Sequence, residues 1–124
     1  MLDTAKAMCF VATLNADRAR DFYSKTLGLR LVEESPFALV FDSNGTMLRV
    51  QRARDLTPAS HTAMGWEVIN IAEAIRDLVA NGVHFMRIDG LPQDELGIWT
   101  TPDGSKVAWF RDPDGNILSL TQFA

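Results

Sequence analysis

Few side chains in this 124-residue chain have reactive potential. His61 and His84 are its two histidines and Cys9 its one cysteine. No carboxylate pair stands near either histidine at a ligand spacing, so the metal signal is weak. His61 reads as a surface residue of a linker; ligation is the alternative if the strand after it shifts by two residues. His84 reads as exposed or edge-packed, and Cys9 as a structural, apolar residue. Ser119 has no nucleophile elbow around it and no orienting acid at a telling spacing, so acyl transfer lacks its constellation. Neither a phosphate loop nor a dinucleotide fingerprint is present. What remains is a cation and an acid. Arg49, if it faces a concavity, is a planar fork that clamps a carboxylate or phosphate through two hydrogen bonds. The plainer alternative is an internal salt bridge to Glu67. Glu67 becomes a general base if burial raises its pKa, and is otherwise a charge partner.

The elements that position these residues come in duplicate. Asn15-Ala-Asp-Arg-Ala19 opens an amphipathic stretch that runs to Leu27-Gly28-Leu29. Asn70-Ile-Ala-Glu-Ala74, offset by 55 residues, opens another that runs to Asn81-Gly82-Val83. Each Asn is a helix N-cap candidate, with Glu73 as a capping-box partner, and each Gly suits the left-handed stop. Helices are therefore expected near 16–27 and 71–81. Phe41-Asp-Ser-Asn-Gly45 and Arg111-Asp-Pro-Asp-Gly115 repeat at an offset of 70. Both are hairpin signals, because Asn-Gly and Asp-Gly tolerate positive φ. The grown offset marks an insertion, Leu91 to Lys106, able to cover a site. Strands are expected at 6–14, 29–34, 37–42, 46–52, 61–69, 83–88, 106–111 and 116–123. The chain reads as one domain over 1–124, with repeat 1 about 5–55, a short linker near Ala59, and repeat 2 about 60–124.

Strand alternation sorts the side chains. Val11, Leu48, Val50, Trp66, Leu118 and Leu120 share an apolar face, joined by Cys9. The opposite face is mixed: Met8, Phe10, Met47 and Ile117 stand with Arg49, Gln51, Glu67, Ser119 and Thr121. A solvated face would not carry those apolar residues, and a core would not carry unpaired charges. A curved sheet whose second face holds a small ligand accounts for both. Trp99, Trp109, Phe37 and Phe110 are candidates for an aromatic wall, plain core being the alternative. Trp99, in the insertion, is the lid candidate.

The net charge of −4 argues against nucleic acid or an anionic membrane as partner, since both require clustered basic surface. A single cysteine excludes an internal disulfide and fits a reducing compartment. Met8 to Leu14 is too short for a span and lacks signal-peptide flanks, so the chain reads as cytoplasmic.

Ala19-Arg-Asp-Phe-Tyr23 with Leu27-Gly-Leu29, Trp66-Glu-Val68, Ala74 to Val83, and Arg111-Asp-Pro-Asp-Gly-Asn116 together resemble the vicinal oxygen chelate superfamily of glyoxalases, bleomycin-resistance proteins and extradiol dioxygenases. The resemblance covers nearly the whole chain. It implies an α+β fold: two βαβββ repeats forming a curved eight-stranded mixed sheet, a cup, with helices on its outer face. It also implies a site inside the cup and a homodimer. Family enzymes hold a divalent metal through His and Glu on four strands. Alignment on Phe22-Tyr23 and on Asp112 to Gly115 puts those positions at Met8, Arg49, Ala63 and Ser119. A thioether, a guanidinium, a methyl and a hydroxyl do not make such a ligand set. The expectation is a protein without metal or cofactor that binds an organic molecule, anionic or aromatic, in the cup through Met8, Phe10, Arg49, Gln51, Glu67, Trp99, Trp109, Ser119 and Thr121. The alternative is an enzyme of the same superfamily: a metal-dependent lyase or dioxygenase if the register is misread, or a metal-free one using Glu67 and Arg49.

Overall fold

Each half starts a helix at its capping asparagine. Asn15 has extended backbone (φ −142°), and its side-chain oxygen accepts the Arg18 N–H at 3.1 Å. Asn70 (φ −132°) accepts the Glu73 N–H at the same 3.1 Å. These bonds satisfy amide groups that the first helical turn leaves free. They open α1 (Ala16–Asp21) and α2 (Ile71–Ala80) in the computed structural model, which describes residues 1–124. α1 widens into a π-helical turn over Phe22–Thr26, so the expected helix at 16–27 is present in two windings. Gly28 and Gly82 leave their helices at φ +77° and +93°, where a side chain would be strained.

The chain divides into two compact units, Met1–Pro58 and Ala59–Ala124. The first contains β1 (Met8–Thr13), β2 (Arg30–Glu34), β3 (Ala38–Ser43) and β4 (Thr46–Arg52) in the spatial order β1-β4-β3-β2. β1 runs parallel to β4, and the other pairs are antiparallel. The second contains β5 (Thr62–Glu67), β6 (Trp99–Thr100), β7 (Lys106–Arg111) and β8 (Ile117–Gln122) in the matching order β5-β8-β7-β6, again with one parallel pair, β5 with β8. The α+β class and the βαβββ repeat are thus as expected. The eight strands form two four-stranded mixed sheets instead of one eight-stranded sheet, because each ladder ends on its own edge strands.

One face of each sheet is core. In the first unit Leu39, Phe41, Leu48 and Val50 are fully buried, and Tyr23 from the π turn sets its ring 5.7 Å from that of Phe41. In the second, Phe110 and Leu118 are buried, as are Ile71 and Ile75 of α2. The Gln122 side-chain oxygen accepts the Ile71 N–H at 2.9 Å, tying the helix start to the end of β8.

The two hairpin turns differ. Asn44 and Gly45 both have positive φ (+48° and +90°), a two-residue turn that closes on the Ser43–Thr46 pair. In the second hairpin only Gly115 does (φ +88°), and Asp112 organises a longer loop. Its Oδ1 accepts the N–H groups of Asp114 and Asn116, both at 2.9 Å. Proline at 113 fixes a negative φ and removes a donor, which favours this wider turn.

The expected strand at 83–88 is absent. Only a single bridge, Phe85 with Phe110, and a bond from the Met86 N–H to the Trp109 carbonyl (2.7 Å) survive there. Gln93 takes over the remaining backbone groups. Its amide donates to the carbonyls of Met86 (3.0 Å) and Gly97 (2.9 Å), and its oxygen accepts the Ile88 N–H (2.7 Å). The rest of the edge is supplied by β6, from inside the insertion: Trp99 pairs with Val107 and Thr100 with Lys106.

Candidate functional site

In the first unit, the face away from α1 runs in rows across the strands. One row is Met8, Met47 and Asp42; the next is Phe10, Arg49 and Val40; the third is Ala12, Gln51 and Ala38. All four expected site residues of this half, Met8, Phe10, Arg49 and Gln51, therefore share one face. A cleft of about 320 Å³ opens on it, lined by Phe10, Pro36, Phe37, Ala38, Arg49, Gln51 and Arg52. That volume is at the small end of ligand pockets. Phe10 is 55% exposed and Phe37 75%.

Phe37 is exposed yet fixed. It ends the tight connection Ser35-Pro36-Phe37 between β2 and β3. The Ser35 hydroxyl oxygen accepts the N–H groups of Phe37 (3.1 Å) and Ala38 (3.2 Å). On the other side the Phe37 carbonyl accepts the Arg52 N–H at 2.8 Å. The backbone beneath the ring is thus bonded before any ligand arrives.

The charges around the cleft are unequal. Arg20 on α1 forks onto Glu34, with both contacts at 2.8 Å, and reaches Asp17 at 2.9 Å. Arg52 meets the same Glu34 carboxylate at 3.4 Å and donates through Nε to the Ser35 carbonyl at 3.1 Å. The Arg20 hydrogen bond, aided by the charges of Arg20 and Arg52, holds the Glu34 carboxyl below the usual carboxylate range, and the same pairing raises Arg20. Two cations and two anions close on themselves there. The remaining strand pair is Arg30 with Asp42 at 3.9 Å. Arg49, half-buried, takes part in none of these pairs.

In the second unit, Thr62, Gly65 and Glu67 of β5 stand beside Ile117, Ser119 and Thr121 of β8, and Trp109 of β7 pairs with Ser119. Trp99, paired with Val107, lies on the same face. The indoles of Trp99 and Trp109 stack at 6.3 Å and 25°, and Trp109 Nε1 donates to the Thr62 hydroxyl at 3.2 Å. Trp99 is therefore a fixed part of the sheet face and not the tip of a lid. Glu67, Ser119 and Thr121 share one face as the alternation required, and the structure adds Trp109 and Trp99 to it. Glu67 and His61 are exposed, and so is His84.

One register changes. A bulge between Thr62 and Met64 places Thr62, not Ala63, opposite Ile117. Met8 stands opposite Met47, the repeat equivalent of Ile117, so the counterpart of Met8 is Thr62. With this register, the positions that the resemblance assigns to a metal become Met8 and Arg49 in one unit and Thr62 and Ser119 in the other. A threonine hydroxyl improves little on a methyl, and Arg49 remains a fixed cation. No group of three or more His, Cys, Asp or Glu is gathered anywhere. These residues do not fit a divalent ion.

Sequence reading missed Glu34, Ser35 and Arg52, the residues that shape the cleft's charge and edge. The Ser-Pro dipeptide at 35–36 was the available signal for the turn.

A family model described as Glyoxalase/Bleomycin resistance protein/Dioxygenase superfamily matches residues 7–120. Among solved structures, a putative glyoxalase family protein from Bacillus anthracis superposes with a TM-score of 0.77 at 17% identity, covering 98% of this chain and 96% of that one. A glyoxalase family protein from Enterococcus faecalis gives 0.75 at 20% identity, covering 98% and 99%. A lactoylglutathione lyase from Agrobacterium tumefaciens gives 0.73 at 18% identity, covering 96% and 93%. No curated protein matches the sequence. At these identities the structural likeness speaks for the fold.

Proposed function

This chain belongs to the Glyoxalase/Bleomycin resistance protein/Dioxygenase superfamily, and we propose that within it the protein acts as a metal-independent binder of a small organic anion. The observation that carries the reading is Arg49: a half-buried guanidinium outside every ion pair, in a cleft walled by two exposed phenyl rings. A fixed cation in a partly dry site attracts a carboxylate or phosphate more strongly than in water, and its fork sets the anion's orientation. The same cation opposes a divalent metal at a position where family enzymes place a ligand. The protein works as a cytoplasmic homodimer in this reading, without nucleic acid or membrane as partner. No helix is long and apolar enough to cross a membrane, and the net charge of −4 disfavours nucleic acid and anionic membrane as partners.

Native mass spectrometry of the freshly purified protein, followed by a thermal-shift screen of organic anions, tests the reading. The expected result is a dimer at its bare sequence mass or carrying an organic adduct, together with an anion that raises the melting temperature. A ligand at 100 times its dissociation constant adds about 2.7 kcal/mol. Arg49→Ala should abolish the shift. One divalent metal per chain would overturn metal independence. Turnover of the bound compound that is lost in Glu67→Gln would replace a binder with an enzyme.

A further inference from the structure

We infer that the cleft selects planar aromatic monocarboxylates: one negative charge on Arg49, one flat ring between Phe10 and Phe37. The inference rests on the binding function proposed above and narrows it to a ligand class.

The charge follows from the pairing. Two guanidinium groups line the cleft, Arg49 and Arg52. Arg52 is already committed to Glu34 and to the Ser35 carbonyl. Glu34 is shared with Arg20, and Arg20 with Asp17, so that network is neutral as a whole. Glu33, opposite Val40 on β2, lies two strands from Arg49, roughly 10 Å across the ladder, and does not line the cleft. One uncompensated positive charge therefore faces the ligand. A monocarboxylate matches it. A phosphate monoester, which carries about −1.5 to −2 near neutral pH, brings charge with no cation to meet it and sets that charge near Glu34.

The ring follows from the walls. Phe10 is the direct cross-strand neighbour of Arg49, and Phe37 is held at the cleft edge by Ser35 and Arg52. Two phenyl rings more than half exposed are unfavourable in water, and a flat aromatic ligand covers both. Because the backbone under Phe37 is already bonded, little ordering is left to oppose binding. Gln51, one row along the same face, offers an amide to a hydroxyl or carbonyl substituent on the ring.

Isothermal titration with benzoate, phenyl phosphate and cyclohexanecarboxylate tests the assignment on the full chain at neutral pH. Benzoate should bind roughly tenfold tighter than either competitor, the aromatic advantage corresponding to the contact preference of stacked or edge-on rings. Arg49→Lys should weaken benzoate, since a point charge replaces a fork. Phe37→Ala should weaken benzoate several-fold and leave cyclohexanecarboxylate nearly unchanged. Glu34→Gln, by freeing the charge of Arg52, should raise the affinity for phenyl phosphate relative to benzoate. Circular dichroism confirms that each variant is folded. If phenyl phosphate binds the native protein as tightly as benzoate, the charge count is wrong. If cyclohexanecarboxylate does, the ring assignment is wrong. Either result leaves the binder standing provided Arg49→Ala still abolishes binding. If none of the three binds, the inference falls while the binding function still answers to the wider anion screen; if Arg49→Ala leaves the binding of every anion unchanged, both fall.

Discussion

Arg49 and Ser119 hold the same place in two sheets of the same strand order, and their surroundings are opposite. The neighbour of Arg49 across the parallel ladder is Phe10, more than half exposed. The neighbour of Ser119 is Gly65, which has no side chain, and Ser119 is buried to 9% exposure. A β-carbon on Gly65 would lie 2.2 Å from Ser119 Oγ and 2.9 Å from its carbonyl oxygen. One half thus leaves a cleft with a cation in it. The other sets a small-residue contact and a pair of stacked indoles on the corresponding face. The ladder constrains backbone and buried face alike, while the second face is free to diverge.

The comparison can be broken most strongly at Gly65. Gly65→Ala should destabilise the protein by about 1–3 kcal/mol, because the carbonyl of Ser119 cannot rotate away. Phe10→Ala, at the equivalent place, should change stability by about 0.5 kcal/mol or less and act on ligand binding instead. Denaturant melts of the two variants give the contrast, and equal losses would mean that the two faces are packed alike.

The edge strands sharpen it next. β2 pairs along β3 with its own backbone, whereas the segment before β6 depends on Gln93. Gln93→Ala should cost about 1–2 kcal/mol and speed exchange of the Ile88 amide, with no effect on amides of β2. Hydrogen exchange resolves the two edges.

The helix caps should not distinguish the halves. Asn15→Ala and Asn70→Ala remove bonds of equal length, and each should cost about 1 kcal/mol. A large inequality would show that one helix matters more to its unit.

Acid gives the smallest effect. Glu34 is held below the usual carboxylate range by Arg20, so its stabilising contribution is present above the ordinary glutamate pKa and is lost as pH falls through its depressed one. Melting temperature should drop over that acidic window, and Glu34→Gln should flatten the drop. The groups are exposed, so a shallow slope is expected.

The fold was legible from its punctuation. Asn15, Asn70, Gly28 and Gly82 mark their helices by chemistry that acts within four residues, and strand alternation grouped Met8, Phe10, Arg49 and Gln51 on one face of the first sheet and Glu67, Ser119 and Thr121 on one face of the second. What escaped was non-local. Nothing near Val83 shows that Gln93 replaces a strand's ladder, or that Trp99 returns as the edge. The bulge at Thr62 shifted one equivalence by a residue, because a count of repeats assumes an unbroken ladder. The turn was signalled by Ser35-Pro36, but the sharing of Glu34 between Arg20 and Arg52 depends on α1 and two strands meeting.

The shared strand order also sets how far apart along the chain the pairing partners lie. β3 and β4 are joined by two residues, Asn44 and Gly45, so their hairpin can close in microseconds. The parallel partner must arrive from far away: Met8 meets Met47 across 39 residues, and Thr62 meets Ile117 across 55. The longer loop costs only about 0.3 kcal/mol more to close, since closure entropy grows as a logarithm. The 15-residue insertion therefore burdens the second half very little kinetically. In both halves the first strand of the repeat makes a long-range pairing, and in the first half that strand carries Phe10.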